Sequence, residues 1–308
     1  MCRCITGHTS KSANYGRAYQ KHSRSTAKNR WRIRAYVRIE APSADLRRHR
    51  KLVHSILGEA CDNIWFPYVI SKSTARRRLF CFPHAGGAAS AYSGWRDALD
   101  EGTELRAVQI PGRENRMCEE LFYFLDPLCE AVTAAITPLL DKPFAFFGHS
   151  MGALLAYRTA LLLRREGRSE PEHLFLSAHR AAHLPLRRPP LYNLPDHKLI
   201  SQLKTFGGTA KELLADPHIM DVYLPIIRAD LSVCDTYVHR QENPLAMPFS
   251  IFGGTDDPDV NLRELTEWRE HTSGIFTLRI FKGGHFYLNN RREEIVSIIQ
   301  SVWNPCNR

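Results

Sequence analysis

Along this chain, short apolar runs alternate with longer stretches whose apolar residues recur every three or four positions. Leu79–Phe82, Leu105–Ile110, Phe144–Phe147, Leu174–Ser177, Phe249–Phe252 and Phe276–Phe281 each read as a strand. Tyr92–Leu99, Asp126–Leu140, Met151–Arg165, Asn261–His271 and Arg291–Val302 read as helices. Strands that alternate with helices in this way predict an α/β domain. Its central sheet should be mostly parallel, with helices on both faces.

The stretch 184–237 breaks the rhythm. It offers no strand, only helix-like pieces separated by Pro189-Pro190, Gly207-Gly208 and Asp216-Pro217. It is too long for a simple connection and is expected to form a helical lid inserted over the active site. No apolar run approaches the ~18 residues of a membrane helix, so the chain reads as soluble.

Charge changes the picture at one end only. The formal net charge is +10 over 308 residues, which by itself could suggest nucleic acid. Residues 1–72 hold 15 Lys/Arg against 4 Asp/Glu, whereas residues 73–308 hold 27 against 28. The basicity therefore belongs to an N-terminal arm. Residues 1–55 are expected to be a disordered extension, Arg-rich and acid-poor like a transit peptide, with the folded domain at 56–308. A start at Val53 rather than Met1 is a further expectation to test. Trp31, Tyr36 and the neighbouring arginines could bind nucleic acid weakly; a solvated tail is the simpler reading.

Eight cysteines are present and none forms a Cys-x-x-Cys pair. They are read as reduced thiols of a cytoplasmic protein, several of them in the core. Cys2, Cys4, His8 and His22 fit no standard zinc spacing. No metal and no organic cofactor is expected.

The candidate chemistry starts at Gly148-His149-Ser150-Met151-Gly152. A Gly-x-Ser-x-Gly between a strand and a helix is the setting of a nucleophile elbow, where a tight turn exposes the serine. The pentapeptide alone is weak evidence; its placement carries the reading. A serine nucleophile needs a base, and the base needs an orienting acid, in the chain order Ser, Asp or Glu, His. Asp256-Asp257 follows a strand, and His285 follows the last one. Asp257 is the candidate acid, because Asp257-Pro258-Asp259-Val260 has the Asp-x-x-Val register common in this fold; Asp256 is then a turn or capping residue. For the oxyanion, backbone N–H groups of Met151 and of Ala85, in the loop Pro83–Gly87, are expected donors. His84 lies too early for the base and is read as a loop-packing residue.

Several further motifs resemble the type II thioesterases of non-ribosomal peptide and polyketide synthesis, within the α/β-hydrolase superfamily. The residues are Phe80-Cys81-Phe82-Pro83-His84-Ala85-Gly86-Gly87, then Gln109-Ile110-Pro111-Gly112-Arg113-Glu114-Asn115-Arg116. They are followed by the elbow through Ala153, by Pro225-Ile226-Ile227-Arg228-Ala229-Asp230, and by Trp268, Thr272 and Gly283-Gly284-His285-Phe286-Tyr287-Leu288. The resemblance spans about Trp65 to the C-terminus; the basic arm departs from it. It implies an enzyme that hydrolyses acyl groups from the phosphopantetheine arm of an acyl-loaded carrier protein; a monomer with no nucleic-acid or membrane partner is expected. Arg113 and Arg116 could face the carrier or could serve their own loop, and Arg228 could pair with Asp230 to anchor the lid. A general carboxylesterase would use the same triad on oxygen esters.

Overall fold

The structure, a computed structural model, describes residues 63–70, 74–209 and 211–303. The basic arm lies outside these residues, and with it Cys2, Cys4, His8, His22, Trp31, Tyr36 and Val53.

Seven strands form one sheet: β1 (Val69–Ile70), β2 (Arg77–Phe82), β3 (Thr103–Ala107), β4 (Phe144–His149), β5 (Leu174–Ser177), β6 (Phe249–Gly254) and β7 (Phe276–Phe281). Their order is β1-β3-β2-β4-β5-β6-β7. β1 is a two-residue antiparallel edge on β3; the other six run parallel. β1 has no counterpart in the apolar pattern because two residues carry no period.

Side chains of a strand alternate between faces, and in the middle of the sheet both faces are covered, which is why runs such as Leu79–Phe82 and Phe144–Phe147 are apolar without interruption. Phe80, Phe82, Phe144, Phe146, Leu174, Leu176, Phe249 and Ile251 enter one core. Their neighbours Leu79, Cys81, Ala145, Phe147, Phe175 and Phe252 enter the other. Helices α1 (Leu125–Ile136) and α2 (Met151–Arg165) pack in the first core.

Some helices differ in kind from the expectation. Tyr92–Leu99 is replaced by a 3-10 helix at Ala89–Trp95. In that helix positions three apart eclipse, and Ala89, Tyr92 and Trp95 form a buried stripe of that spacing. Asp126–Leu140 becomes α1 followed by a 3-10 turn at Thr137–Leu139, where Pro138 removes a backbone donor.

The insertion carries α3 (Asp196–Phe206), α4 (Lys211–Ala215) and α5 (Pro217–Asp235) and no strand among the described residues. Asp216-Pro217 starts α5: the Asp216 carboxylate accepts from the N–H groups of His218 and Ile219, and Pro217 occupies the first turn. Leu191, Leu199, Leu214, Met220, Leu224, Ile227 and Leu231 give the insertion its own apolar cluster. After β6, Asn261 and Glu264 form a capping box on α6 (Leu262–Thr266), which passes into a 3-10 turn at Glu267–His271. The chain's last described helix is α7 (Leu288–Val302), in the second core. No helix among the described residues is long and apolar enough to cross a membrane.

Candidate active site

Ser150 stands alone between β4 and α2, with φ 55° and ψ −121°, a backbone conformation that costs a residue with a side chain. Its N–H donates to the Ser177 carbonyl at the end of β5 (2.8 Å), which holds the turn in place. The turn closes because glycine flanks it: a Cβ on Gly148 would strike the Gly152 carbonyl, and one on Gly152 would strike the Phe82 carbonyl.

The ends of β4, β6 and β7 bring three side chains together. His285 Nε2 lies 3.0 Å from Ser150 Oγ, and His285 Nδ1 lies 2.8 Å from Asp257 Oδ2. The other Asp257 oxygen accepts from the N–H groups of Asp259 (2.9 Å) and Val260 (3.2 Å). Because a carboxylate can only accept, the proton of the neutral imidazole sits on Nδ1, and Nε2 turns its lone pair to the serine hydroxyl. Asp256 is exposed and accepts from its neighbour's Thr255 hydroxyl, away from His285.

Ala85 and Ser150 border one cavity, and Met151 is the first residue of α2, where helix N–H groups lack intrahelical partners. The neighbouring Gly86 N–H is already engaged by Asp230 Oδ2 (2.7 Å). His84 donates from Nδ1 to the Ala85 carbonyl (3.0 Å) and packs its ring edge-on against Phe286. Burial holds His84 below the usual histidine range. His149, inside the elbow, is fully buried, bonds Ser177 Oγ through Nδ1 (2.8 Å), and is held well below that range by desolvation. It therefore stays neutral beside His285.

The cavity measures about 760 Å³. Ser150, His285 and Ala85 border it from the sheet side, and Leu203, Phe206, Met220 and Ile227 from the insertion. The Phe206 ring lies 5.6 Å from that of His285. Such a site presents a hydroxyl with an adjacent base in a chamber with both apolar walls and charged ones such as Arg180 and Arg188, an arrangement suited to acyl transfer.

Of the two readings of Arg113 and Arg116, the one in which they serve their own loop holds, and the pairing of Arg228 with Asp230 is corrected. Arg113 and Arg116 do not face outward. Arg113 lies on Asp230 through both nitrogens of its fork (2.6 and 2.8 Å), the two side chains being 3% and 2% exposed. Arg116 bonds Glu119 and the Gln109 carbonyl and stacks over Trp65. Both side chains have apolar stems and forked donors that suit an interior loop. Arg228, in turn, does not pair with Asp230: two positions apart on a helix, they point to different sides. Arg228 bonds Asp196 and the Tyr192 carbonyl.

A family profile described as the thioesterase domain matches residues 77–302. The chain belongs to the thioesterase family. Among its relatives, gramicidin S biosynthesis protein GrsT of Aneurinibacillus migulanus is 38% identical over 237 residues, 77% of this chain and 93% of that protein. RedJ, the thioesterase of the prodiginine pathway of Streptomyces coelicolor, matches in structure with a TM-score of 0.70 at 36% identity, over 78% of this chain and 98% of its own. The type II thioesterase BorB of the borrelidin cluster matches with the same TM-score and identity, over 76% and 96%. The fold is that of the α/β-hydrolases, and the family is one of hydrolases acting on thioesters.

Asp230 belongs to an ion pair, as expected, but its partner is Arg113 and not Arg228. The signal for it is an acid inside the apolar helix run Ile226, Ile227, Ala229, Leu231, where only a partnered charge is tolerated.

Proposed function

We propose that this protein releases acyl groups from the phosphopantetheine thiol of carrier proteins in a non-ribosomal peptide or polyketide pathway, through a Ser150–His285–Asp257 triad. The observation that carries the reading is the hydrogen-bond chain from Ser150 Oγ through His285 to Asp257, set at the wall of the cavity. The relatives named above supply the pathway class.

In the first half-reaction Ser150 Oγ attacks the thioester carbonyl carbon as His285 Nε2 takes the hydroxyl proton. The carbonyl oxygen becomes an oxyanion facing the N–H groups of Ala85 and Met151. Collapse breaks the C–S bond; the pantetheine sulfur leaves and receives the proton from the imidazolium. In the second half, water attacks the acyl-serine, His285 takes the water proton, and its return to Ser150 frees the carboxylic acid. Asp257 keeps the proton on Nδ1 and stabilises the imidazolium in both halves. The reading includes a cytoplasmic enzyme that acts as a monomer.

The test is hydrolysis of an acetyl-loaded carrier protein by wild type and Ser150→Ala. Release by wild type alone supports the reading. Cleavage of simple esters without release from the carrier would replace it with a general carboxylesterase.

A further inference from the structure

The loop that carries Ala85 is gripped from outside on both of its hydrogen-bonding edges. Gly86 N–H donates to Asp230 Oδ2 (2.7 Å), and the Gly87 carbonyl accepts from Arg113 Nη1 (2.9 Å). The same Arg113 nitrogen donates to the same Asp230 oxygen (2.6 Å), so loop, carboxylate and guanidinium form one closed set of bonds. Gly86 has φ +75°, and its backbone lies so close to α5 that a Cβ would press on Ile227 Cγ1. Asp230 and Ile227 sit one helical turn apart on α5, the last helix of the insertion.

The arginine fork fills two of the carboxylate's lone-pair sites, and a buried carboxylate needs donors for the others as well. Any buried donor could have served, and the one that does is the N–H of the residue beside Ala85. Oxyanion donors work only within about 2.7–3.1 Å of the developing charge, so a loop of this kind gains from a rigid support. We propose that Arg113 and Asp230 are positioning residues, holding the Ala85 N–H on the oxyanion and making α5 part of the catalytic support. The inference rests on the triad reading above.

The test uses the full chain with p-nitrophenyl acetate and with acetyl-N-acetylcysteamine, plus a trifluoromethyl ketone, which forms an oxyanion adduct on serine, and acetate as the product. Asp230→Leu should lower kcat/KM by about 10²-fold, with an equal loss of ketone affinity and little change for acetate. Asp230→Asn keeps an oxygen for Gly86 N–H and should fall between. The double variant Arg113→Met/Asp230→Leu removes both charges; it should regain the melting temperature lost in Asp230→Leu but not the rate. Recovery of rate together with melting temperature would reduce the pair to a fold-holding role and overturn the proposal. So would a rate loss that leaves ketone affinity intact. Failure of the thioesterase reading looks different: wild type would cleave the nitrophenyl ester but not the thioester, and the variants remain comparable on the ester.

Discussion

Asp257 turns one carboxylate oxygen to His285 Nδ1 and the other to the backbone N–H groups of Asp259 and Val260. The second set of bonds fixes the side chain before any substrate arrives, so the imidazole meets an acid that is already aimed. Asp257→Asn keeps the shape but allows the wrong tautomer, and should lower kcat by about 10⁴-fold. Asp256→Asn, changed at the exposed neighbour, should leave kcat close to wild type. Steady-state kinetics of the two variants side by side assigns the acid.

Gly152→Ala should abolish activity and folding together. Its methyl group would occupy the position of the Phe82 carbonyl, and backbone cannot yield as a side-chain tip can. Recovery of soluble, active protein would contradict the closeness of β2 to the elbow.

Removing one member of a buried ion pair strands the other. Arg113→Met should destabilise the fold by about 3–5 kcal/mol, read from urea denaturation. Arg168→Met, which breaks the exposed pair with Glu166, should cost at most about 1 kcal/mol.

His271 is held down to about 4 by burial, with His183 and His239 adding to the effect. Its folded value lies below its ordinary 6.5, so the unfolded chain binds the extra proton between the two. Stability from this residue is complete above about pH 6.5, is lost as pH falls toward 4, and does not fall further below that. Denaturation measured across that window should show the decline, and His271→Gln should lessen it, leaving the part due to other buried histidines such as His84 and His149.

Cys81, Cys129 and Cys234 are buried, and Cys118 is exposed. Burial pushes the Cys129 thiol up to about 12 and raises those of Cys81 and Cys234. Of these four, Cys118 should react with a maleimide in the native protein and the other three only after denaturation, as peptide mapping would show.

The strands were readable because both faces of the sheet are covered, so every residue of a run such as Phe144–Phe147 is apolar. The elbow was readable for a related reason: it is a local motif between two well-marked elements. His285 stands out by its position after the last strand, and Asp257 by the Asp-x-x-Val register that separates it from Asp256. What escaped were relationships between distant segments. Nothing in the Pro111–Arg116 loop says that Arg113 will meet a carboxylate 117 positions later, in the insertion. Arg228 and Asp230 looked like partners because they are close in sequence, yet the helix turns them apart. Tyr92, Trp95 and Leu99 have the i, i+3, i+7 spacing of an α-helix, yet the helix there is a 3-10 helix that starts at Ala89 and ends at Trp95.

Ile227 borders the cavity and also stands against Gly86. A larger side chain there would narrow the chamber and push on the oxyanion loop in one move. Leu203 and Phe206 enter the same chamber from α3 instead. The walls thus include Ile227, coupled to the loop, and Phe206, beside the His285 ring, and an engineer who wants a new acyl range without a slower enzyme should begin with Leu203.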